Sequence, residues 1–316
     1  MMEINIMFLG GAKRVSIANH FIMTATEMGY KVNIFSYELD QKVPIACVGK
    51  VIIGKKWSDK DLVQDLEENI EKYHISIVLA FVDPAIRVIS ELKKRCPNVF
   101  IPVSESSLCS IMFDKVLSAN WFKEHEINQP NFYTDPSSFN YPVILKPRHG
   151  SASKGILICE SAGELPLTDL SAYLIQDFIV EHTEYSVDCY VNQKGEVTSV
   201  VPRIRMETAG GEVIRSKTIK NKAIIELTEK ILTSGGFRGP ITIQYIKDNN
   251  LGKINVMEIN PRLGGGVVTS IGAGSGLIKM ILDESLGKDI KPVTDWKENT
   301  VMVRYFNEVI FYADSY

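Results

Sequence analysis

The sequence of 316 residues contains few cysteines and histidines, and neither residue type is arranged as a site. Its five cysteines are widely spaced, without a Cys-x-x-Cys pair or a Cys/His pair at the spacing of zinc ligands, which argues against a zinc site. An odd number of cysteines without a disulfide framework favours reduced thiols in the cytoplasm. No Ser/His/Asp or Cys/His arrangement indicates covalent catalysis.

The sequence also lacks a strong net charge of either sign and any apolar run long enough to cross a membrane. The formal net charge of −3 and the pI of about 6.0 argue against broad binding to nucleic acids or membrane surfaces. Residues 1–13 lack the basic-then-apolar order of a signal peptide. We therefore expect a cytoplasmic protein that acts on small molecules, with no nucleic-acid or membrane partner. Its hydrophobic content of 45% is enough to bury a substantial core.

The first hundred residues alternate strand and helix patterns, which predicts an α/β unit with a parallel sheet covered on both faces. Gly10 and Gly11 follow the first predicted strand without the spacing of a dinucleotide fingerprint, so they form either a tight turn or an anion site at a helix N-terminus. Asp83 follows the third predicted strand and is either a ligand residue or a helix cap. The predicted strands are residues 4–9, 31–37, 76–81 and 99–103, and the predicted helices are residues 15–28, 59–73 and 85–94.

The most informative motif is Val-Met-Glu-Ile-Asn-Pro-Arg at residues 256–262. In a strand, residues two apart share a face, so Glu258, Asn260 and Arg262 start out together. Carboxylate and amide oxygens beside an arginine suit a polyphosphate that carries Mg²⁺. The alternative interpretation is an edge strand with a solvated polar face.

The segment before this motif favours the site. Residues 241–246 alternate as a strand, and the turn residues 248–252 follow them. A hairpin of the two strands would bring Gln244 opposite Glu258 and add a third oxygen donor, because facing residues of an antiparallel pair have Cβ atoms about 5 Å apart.

A Gln on one strand followed by Glu-x-Asn-Pro-Arg on the next resembles the metal-binding end of the ATP-grasp superfamily. It is most similar to the ATP-binding half-domain of the carbamoyl phosphate synthetase large subunit and its stand-alone relatives. The resemblance implies that Gln244, Glu258 and Asn260 bind Mg²⁺, with Mn²⁺ as an alternative. It also implies that Arg262 is a catalytic residue that meets the transferred phosphate.

An apolar strand at residues 141–147 contains Lys146 and leads into a loop of small residues before the chain returns as a strand at 156–158. Small residues let backbone N–H groups approach phosphate oxygens. A Walker P-loop would enter a helix instead, so that motif is rejected. The resemblance implies a lid over the β- and γ-phosphates, with Lys146 at the α/β-phosphates as a catalytic and binding residue. The lid residues expected to bind ATP are Ser151, Ser153 and Gly155.

Other nucleotide contacts follow from the resemblance by position. Lys115, near the start of a helix predicted to end at about residue 125, would touch the triphosphate, although a lysine on a solvated helix is the alternative. Arg203 and Arg205 would line the phosphate and acceptor side, or else form cross-strand salt bridges. Arg215 and Lys217 are candidates without an assigned role. The adenine hinge would be Gln176, Asp177, Phe178 and Ile179, and the ribose carboxylate would be Glu184.

The implied fold is a Rossmann-like pre-ATP-grasp domain at residues 1–105, followed by a two-lobed ATP-grasp domain with antiparallel sheets at residues 106–316. A lid subdomain would span about residues 120–178. Leu-Gly-Gly-Gly at residues 263–266 departs from the Arg-Ser-Ser of carbamoyl phosphate synthetase and is common among stand-alone carboxylate ligases. The implied activity is ATP-dependent ligation of a small carboxylate and an amine through an acyl phosphate, by a homodimer. The alternatives are an ATP-grasp kinase without an amine acceptor and a non-catalytic nucleotide-binding module.

Overall fold

The computed structural model describes residues 2–150 and 154–312, so the predicted lid residues Ser151 and Ser153 lie outside the described residues. Over the described residues the chain forms three β-sheets and eight α-helices. No helix in this part of the chain is long and apolar enough to cross a membrane.

The opening residues form a parallel sheet with strand order β3-β2-β1-β4. The continuous apolar run of β1 is buried on both faces, since Phe8 packs into one core cluster while Met7 and Leu9 pack into another. This confirms the predicted α/β unit. Its elements are β1 (Glu3–Leu9), α1 (Val15–Glu27), β2 (Lys31–Glu38), β3 (Lys50–Ile53), α2 (Leu62–Lys72), β4 (Ile77–Ala80) and α3 (Asp83–Arg95).

The predicted strand at residues 99–103 is wrong. This segment makes only a single bridge, between Phe100 and Ile77, at the edge of the parallel sheet. Pro102 has no backbone N–H and therefore cannot donate to a ladder. The short strand β3, which the sequence reading did not include, lies at the opposite edge.

Two helices and a small antiparallel sheet follow, with strand order β5-β8-β6-β7. β6 and β7 form the predicted lid hairpin, in which Val143 pairs with Cys159. The small core of this sheet contains Val143, Leu145, Cys159 and Ile175. The elements are α4 (Ser106–Phe113), α5 (Lys115–Glu124), β5 (Phe132–Tyr133), β6 (Val143–Pro147), β7 (Leu157–Cys159) and β8 (Tyr173–Asp177).

The largest sheet is antiparallel, with order β13-β12-β9-β10-β11-β14. Along β9, Val187 and Val191 pack into the core cluster that contains helix residue Ile224, whereas Tyr190 packs into the core of the opening domain. The sheet is thus covered on both faces. The elements are β9 (His182–Val191), β10 (Val197–Ala209), β11 (Glu212–Thr218), α6 (Lys222–Ser234), β12 (Gly239–Asp248), β13 (Ile254–Asn260), α7 (Val268–Gly272), α8 (Leu277–Ser285) and β14 (Val301–Val303).

Candidate active site

A cavity of about 290 Å³ lies where the three sheets meet. The opening domain contributes Arg14 and Asp83, the lid hairpin contributes Lys146, and the large sheet contributes Gln244 and Glu258. Period-two alternation explains which side chains reach it. On β12, Ile241, Ile243 and Tyr245 enter the core, and the intervening Thr242 and Gln244 line the cavity.

The β12–β13 hairpin has the predicted register. Gln244 pairs directly with Glu258, and the register shifts just after Gln244. Asn260 Nδ2 donates a hydrogen bond of 2.9 Å to Glu258 Oε1. Three oxygen-bearing side chains therefore lie together at the cavity wall, as the sequence predicted.

This donor set fits Mg²⁺ if phosphate oxygens complete the coordination. It contains one carboxylate and two amides, in keeping with the finding that the described residues hold no cluster of three His, Cys, Asp or Glu side chains. Glu258 and the amide oxygens of Gln244 and Asn260 would hold the ion. Their assignment as metal ligands stays a prediction.

Arg262 is held by a carboxylate of the opening domain. Its Nε and Nη2 lie 2.7 Å and 2.6 Å from Asp83 Oδ1, and its Nη1 donates to the Leu263 carbonyl at 3.3 Å. Asp83 is the first residue of α3, and Pro84 follows it. The helix-cap interpretation of Asp83 is wrong, because Val82 occupies the N-cap position and no side chain of the described residues caps this helix. Asp83 lines the cavity, and its role toward a ligand stays a prediction.

Lys146 is buried, at 7% exposure, at the carboxyl end of β6. Its Nζ donates to Gln176 Oε1 at 2.9 Å. The pKa of Lys146 is lowered to about 8, mainly because burial deprives the charged form of water. The charge of Glu258 opposes this shift, and the charge of Lys115 adds to it. Because the hydrogen-bond partner of the Lys146 ammonium is a neutral amide, its positive charge is not neutralised and can interact with an anionic ligand.

Lys115 lines the same cavity and does not point into solvent alone. It is the first residue of α5, whose N-cap Asp114 accepts from the N–H groups of the first turn. Lys115 Nζ donates to the Gly150 carbonyl at 2.8 Å, and Asp114 pairs with Arg148 at 2.6 Å. The start of α5 is thereby fastened to the base of the lid loop.

The predicted adenine hinge, residues 176–179, does not line this cavity. Gln176 is buried, and its side-chain oxygen accepts a hydrogen bond from Lys146. Asp177 accepts hydrogen bonds from Asn131 and from the Tyr133 hydroxyl. The Phe178 N–H donates to the Pro142 carbonyl at 3.0 Å. These contacts hold β8 in the small sheet, and the adenine role of the segment stays a prediction.

The arginines of β10 form the cross-strand salt bridges that were the alternative to a site role, and both also line the cavity. Arg205 Nε lies 2.9 Å from Glu184, so the predicted ribose carboxylate already has a cationic partner. Arg203 Nε lies 2.8 Å from Asp188, and both side chains are at most 2% exposed. Arg215, by contrast, is exposed and outside the cavity, and Lys217 also does not line it.

Sequence reasoning gave no role to four charged residues of the site and its surrounding network. Asp188 is the centre of a buried network, since it accepts from Arg203, from Ser270 Oγ at 2.6 Å and from Thr242 Oγ1 at 3.1 Å. Its position two strands from the Glu-x-Asn-Pro-Arg motif gave no local signal. The other three, which line the cavity, are Arg14, Lys154 and Glu212.

Arg14 follows the Gly10-Gly11 turn. This is the tight turn that the sequence suggested, and its backbone packs closely against neighbouring side chains. A Cβ on Gly11 would lie 2.6 Å from Phe8 Cβ and 2.8 Å from Ser36 Oγ. The tight turn directs the following Arg14 toward the large sheet, where it faces Glu212 at 3.6 Å. The sequence signal that could have identified Arg14 is a basic residue shortly after the glycine pair that ends the first strand.

Residues 170–309 match a family model described as ATP-grasp in the biosynthetic pathway with Ter operon. No sequence among the curated proteins matches the chain significantly.

Solved structures share the fold at low sequence identity. The biotin carboxylase domain dimer of Hydrogenobacter thermophilus 2-oxoglutarate carboxylase, in complex with MgADP, ADP and bicarbonate, is similar with a TM-score of 0.75 and 15% identity, over 95% of this chain and 74% of that one. An L-amino acid ligase from Bacillus licheniformis has a TM-score of 0.67 and 15% identity, over 90% and 74%. Rhizobium etli pyruvate carboxylase has a TM-score of 0.74 and 15% identity over 95% of this chain, which spans only 30% of that protein.

Proposed function

We propose that this chain, whose residues 170–309 match an ATP-grasp family model, is an ATP-dependent ligase that joins a small carboxylate to an amine through an acyl phosphate. The observation that carries the proposal is the single cavity in which Gln244, Glu258 and Asn260 lie beside Arg262 and Lys146. Oxygen donors for Mg²⁺ next to cationic side chains are what a triphosphate and an attacking carboxylate need in order to approach each other.

The reaction has two steps. A carboxylate oxygen attacks the γ-phosphorus, the bond to the β-phosphate oxygen breaks, and ADP leaves. The amine nitrogen then attacks the acyl carbon, inorganic phosphate leaves, and the amine loses a proton. Mg²⁺, with Mn²⁺ as an alternative, would neutralise phosphate charge when it is bound by Gln244, Glu258 and Asn260. None of the cavity residues is assigned as a general base.

The chain's own cations bring the two anions together. Among residues 2–150 and 154–312, Lys146 and Lys115 donate hydrogen bonds to neutral partners, so each can offer its charge to the triphosphate. Arg262 is oriented by Asp83, so its guanidinium is already fixed where the transferred phosphate and the carboxylate would meet. Lys146 and Pro147 of β6 line the cavity, and we expect the lid hairpin to exclude water from the acyl phosphate.

Two similar structures support the choice of chemistry, although their identity to this chain is low. One is named as an L-amino acid ligase, and the other contains MgADP together with bicarbonate. The second is also a dimer, which agrees with the predicted homodimer. Light scattering in solution tests that assembly, and cell fractionation of the native protein tests the expected cytoplasmic location.

The direct test is coupled ADP release, screened over amino acids and small carboxylates with and without amines. Release that needs both a carboxylate and an amine supports the ligase. A phosphorylated product that accumulates without any amine would indicate that the protein is a kinase and not a ligase. Nucleotide binding without ADP release across the whole screen would favour a binding module.

Glu258→Ala separates the metal site from nucleotide binding. We expect it to lower ADP formation by on the order of 100- to 1000-fold, the usual effect of removing one preorganised electrostatic contact to a transition state. Affinity for the adenosine part should persist, as measured with a fluorescent nucleoside analogue. Glu226→Ala on the exposed face of α6 is the matched control and should leave turnover unchanged. Normal turnover by Glu258→Ala would show that the metal assignment is wrong.

A further inference from the structure

One guanidinium in the cavity is paired much less closely than the others. Arg203, Arg205 and Arg262 each lie within 3.0 Å of a carboxylate oxygen. Arg14 reaches its acidic neighbour Glu212 only at 3.6 Å, which is longer than a hydrogen bond, although its side chain is just 13% exposed. Burial lowers the pKa of Arg14; Glu212 acts against this shift, and the charges of Arg262 and Arg304 add to it. A cation in such a place is stabilised by an anion that binds directly to it.

A second donor in the same wall has no acceptor. Arg203 uses Nε and Nη2 to hold Asp188, but its Nη1 is buried and has no hydrogen-bond partner among the described residues. Buried polar groups nearly always have partners in folded proteins, so an orphaned guanidinium nitrogen in a ligand cavity indicates a missing acceptor. Gly266 leaves the space beside it, since a Cβ there would lie 2.6 Å from Nη1.

The glycine loop brings these two donors to one place. A Cβ on Gly265 would lie 3.8 Å from Arg14 Nη1, and Gly266 adjoins Arg203. The loop begins two residues after Arg262. Arg14 and Arg203 therefore line the same cavity as Arg262, where the reacting carboxylate would lie.

Glu212 does not close the wall to an anion. It is shared, with Oε1 at 3.6 Å from Arg14 and Oε2 at 3.6 Å from Arg304. If a ligand took its place at Arg14, Glu212 would keep Arg304 as its partner. The exchange would leave neither carboxylate unpaired.

We propose that the acceptor acid carries a second anionic group, which Arg14 and Nη1 of Arg203 bind over the Gly264–Gly266 loop while the reacting carboxylate lies at Arg262. The substrate class is a dianionic acid, either a dicarboxylate or a carboxylic acid with a phosphate ester. This inference rests on the proposed ligase function and adds the acceptor class to it.

The experiment compares matched acids in the coupled ADP assay with excess ammonium and amino acids as amines. The pairs are succinate with butyrate, glutarate with pentanoate, aspartate with alanine, and O-phosphoserine with serine, the last of which separates a phosphate from a carboxylate as the second group. We expect kcat/KM for the dianionic member to exceed that of its partner by about 10- to 100-fold, the effect of one or two charge-assisted hydrogen bonds.

Arg14→Gln should remove this preference by raising the KM for dianionic acids, while the KM for ATP and the kcat with monoanionic acids stay the same. Arg14→Lys, which keeps the charge, should retain part of the preference and also covers the case in which Arg14→Gln does not fold. Arg215→Gln, an exposed arginine outside the cavity, is the matched control and should change nothing.

Two results would overturn the inference and leave the ligase function in place: equal kcat/KM for the members of each pair, or a preference that survives in Arg14→Gln. Absence of ADP release with every acid would overturn the ligase function and this inference together.

Discussion

Two lysines of the cavity, Lys115 and Lys146, and three of its four arginines are held in opposite ways. Lys146 and Lys115 donate to an amide oxygen and to a carbonyl oxygen, which are neutral. Arg203, Arg205 and Arg262 are each ion-paired with a carboxylate from another strand or from the opening domain. A neutral partner leaves a cation available for an incoming phosphate, whereas a carboxylate partner neutralises the charge and fixes its position.

This contrast indicates a division of work within one cavity. The lysine side is suited to binding a variable, highly charged ligand such as a triphosphate. The arginine side is suited to holding fixed donors at set positions. Removing a carboxylate from the arginine side should therefore affect folding or geometry, and removing a lysine should affect ligand affinity.

The largest effect should come from Asp188→Asn. This change leaves the Arg203 guanidinium, which is 2% exposed, without a counter-charge, and it weakens the hydrogen bonds from Ser270 and Thr242. Breaking a buried ion pair from one side costs about 3–5 kcal/mol, so the free energy of unfolding should fall by about that amount in urea titrations.

The control for this change is an exposed pair of similar length. Lys194 lies 2.7 Å from Asp289 on the surface. Asp289→Asn should give no measurable change in the urea midpoint, because exposed ion pairs contribute little. Equal destabilisation by both changes would contradict the division between a fixed arginine side and an available lysine side.

Lys146→Met should act on affinity instead of stability. Loss of the buried ammonium removes a charge-assisted contact to phosphate, so the Kd for ADP should rise by about 10- to 100-fold. Titration calorimetry measures the Kd, and urea unfolding should show no loss of stability. Lys123→Met, at an exposed position on α5, is the control. An unchanged Kd in Lys146→Met would remove the lysine from the nucleotide site.

Asp83→Asn should have a smaller effect that falls on turnover. The amide oxygen can still accept from Arg262 but no longer orients it with a charge, so we expect kcat to fall by roughly tenfold with little change in the KM for ATP. Asp83→Glu, which restores the carboxylate, should recover part of the loss. A change confined to the KM for ATP would show that Asp83 does not act through Arg262.

The parts of the site that could be predicted from sequence are those that depend on neighbouring segments. Gln244 faces Glu258 because a short turn joins two strands whose polar residues alternate, and both signals are local. The lid hairpin follows from the same kind of pattern. The resemblance added the order of these pieces along the chain.

The contacts that could not be predicted join distant parts of the chain. Asp83 and Arg262 are 179 residues apart, and their pairing depends on how the opening domain packs against the large sheet. The same packing brings Arg14 to Glu212. Alternation along β9 indicates that Asp188 shares a face with Ser186, but it does not show that Arg203, which lies opposite Ser186 on β10, reaches Asp188. Packing between domains depends on surfaces formed by residues far apart in the sequence, so patterns of neighbouring residues do not predict it.

The smallest expected effect is a dependence on pH that arises from Lys146. It sharpens the contrast between the lysines and the arginines because loss of the Lys146 proton should lower ADP affinity while the contribution of Lys146 to stability rises. The pKa of Lys146 is lowered to about 8 from the usual value of 10.5, mainly by burial. Above about pH 8 the folded protein loses this proton before it binds phosphate, so ADP affinity should fall by about fourfold between pH ~7 and pH ~8.5. The unfolded chain keeps the proton up to about pH 10.5, so it binds more protons in this window, and the contribution of Lys146 to stability should rise with pH there. Calorimetry of ADP binding and urea unfolding over this range measure the two trends, and Lys146→Met should lose both. If both quantities stay constant over this range in the native protein, after subtraction of the variant's curves, Lys146 remains charged throughout and the contrast loses this support.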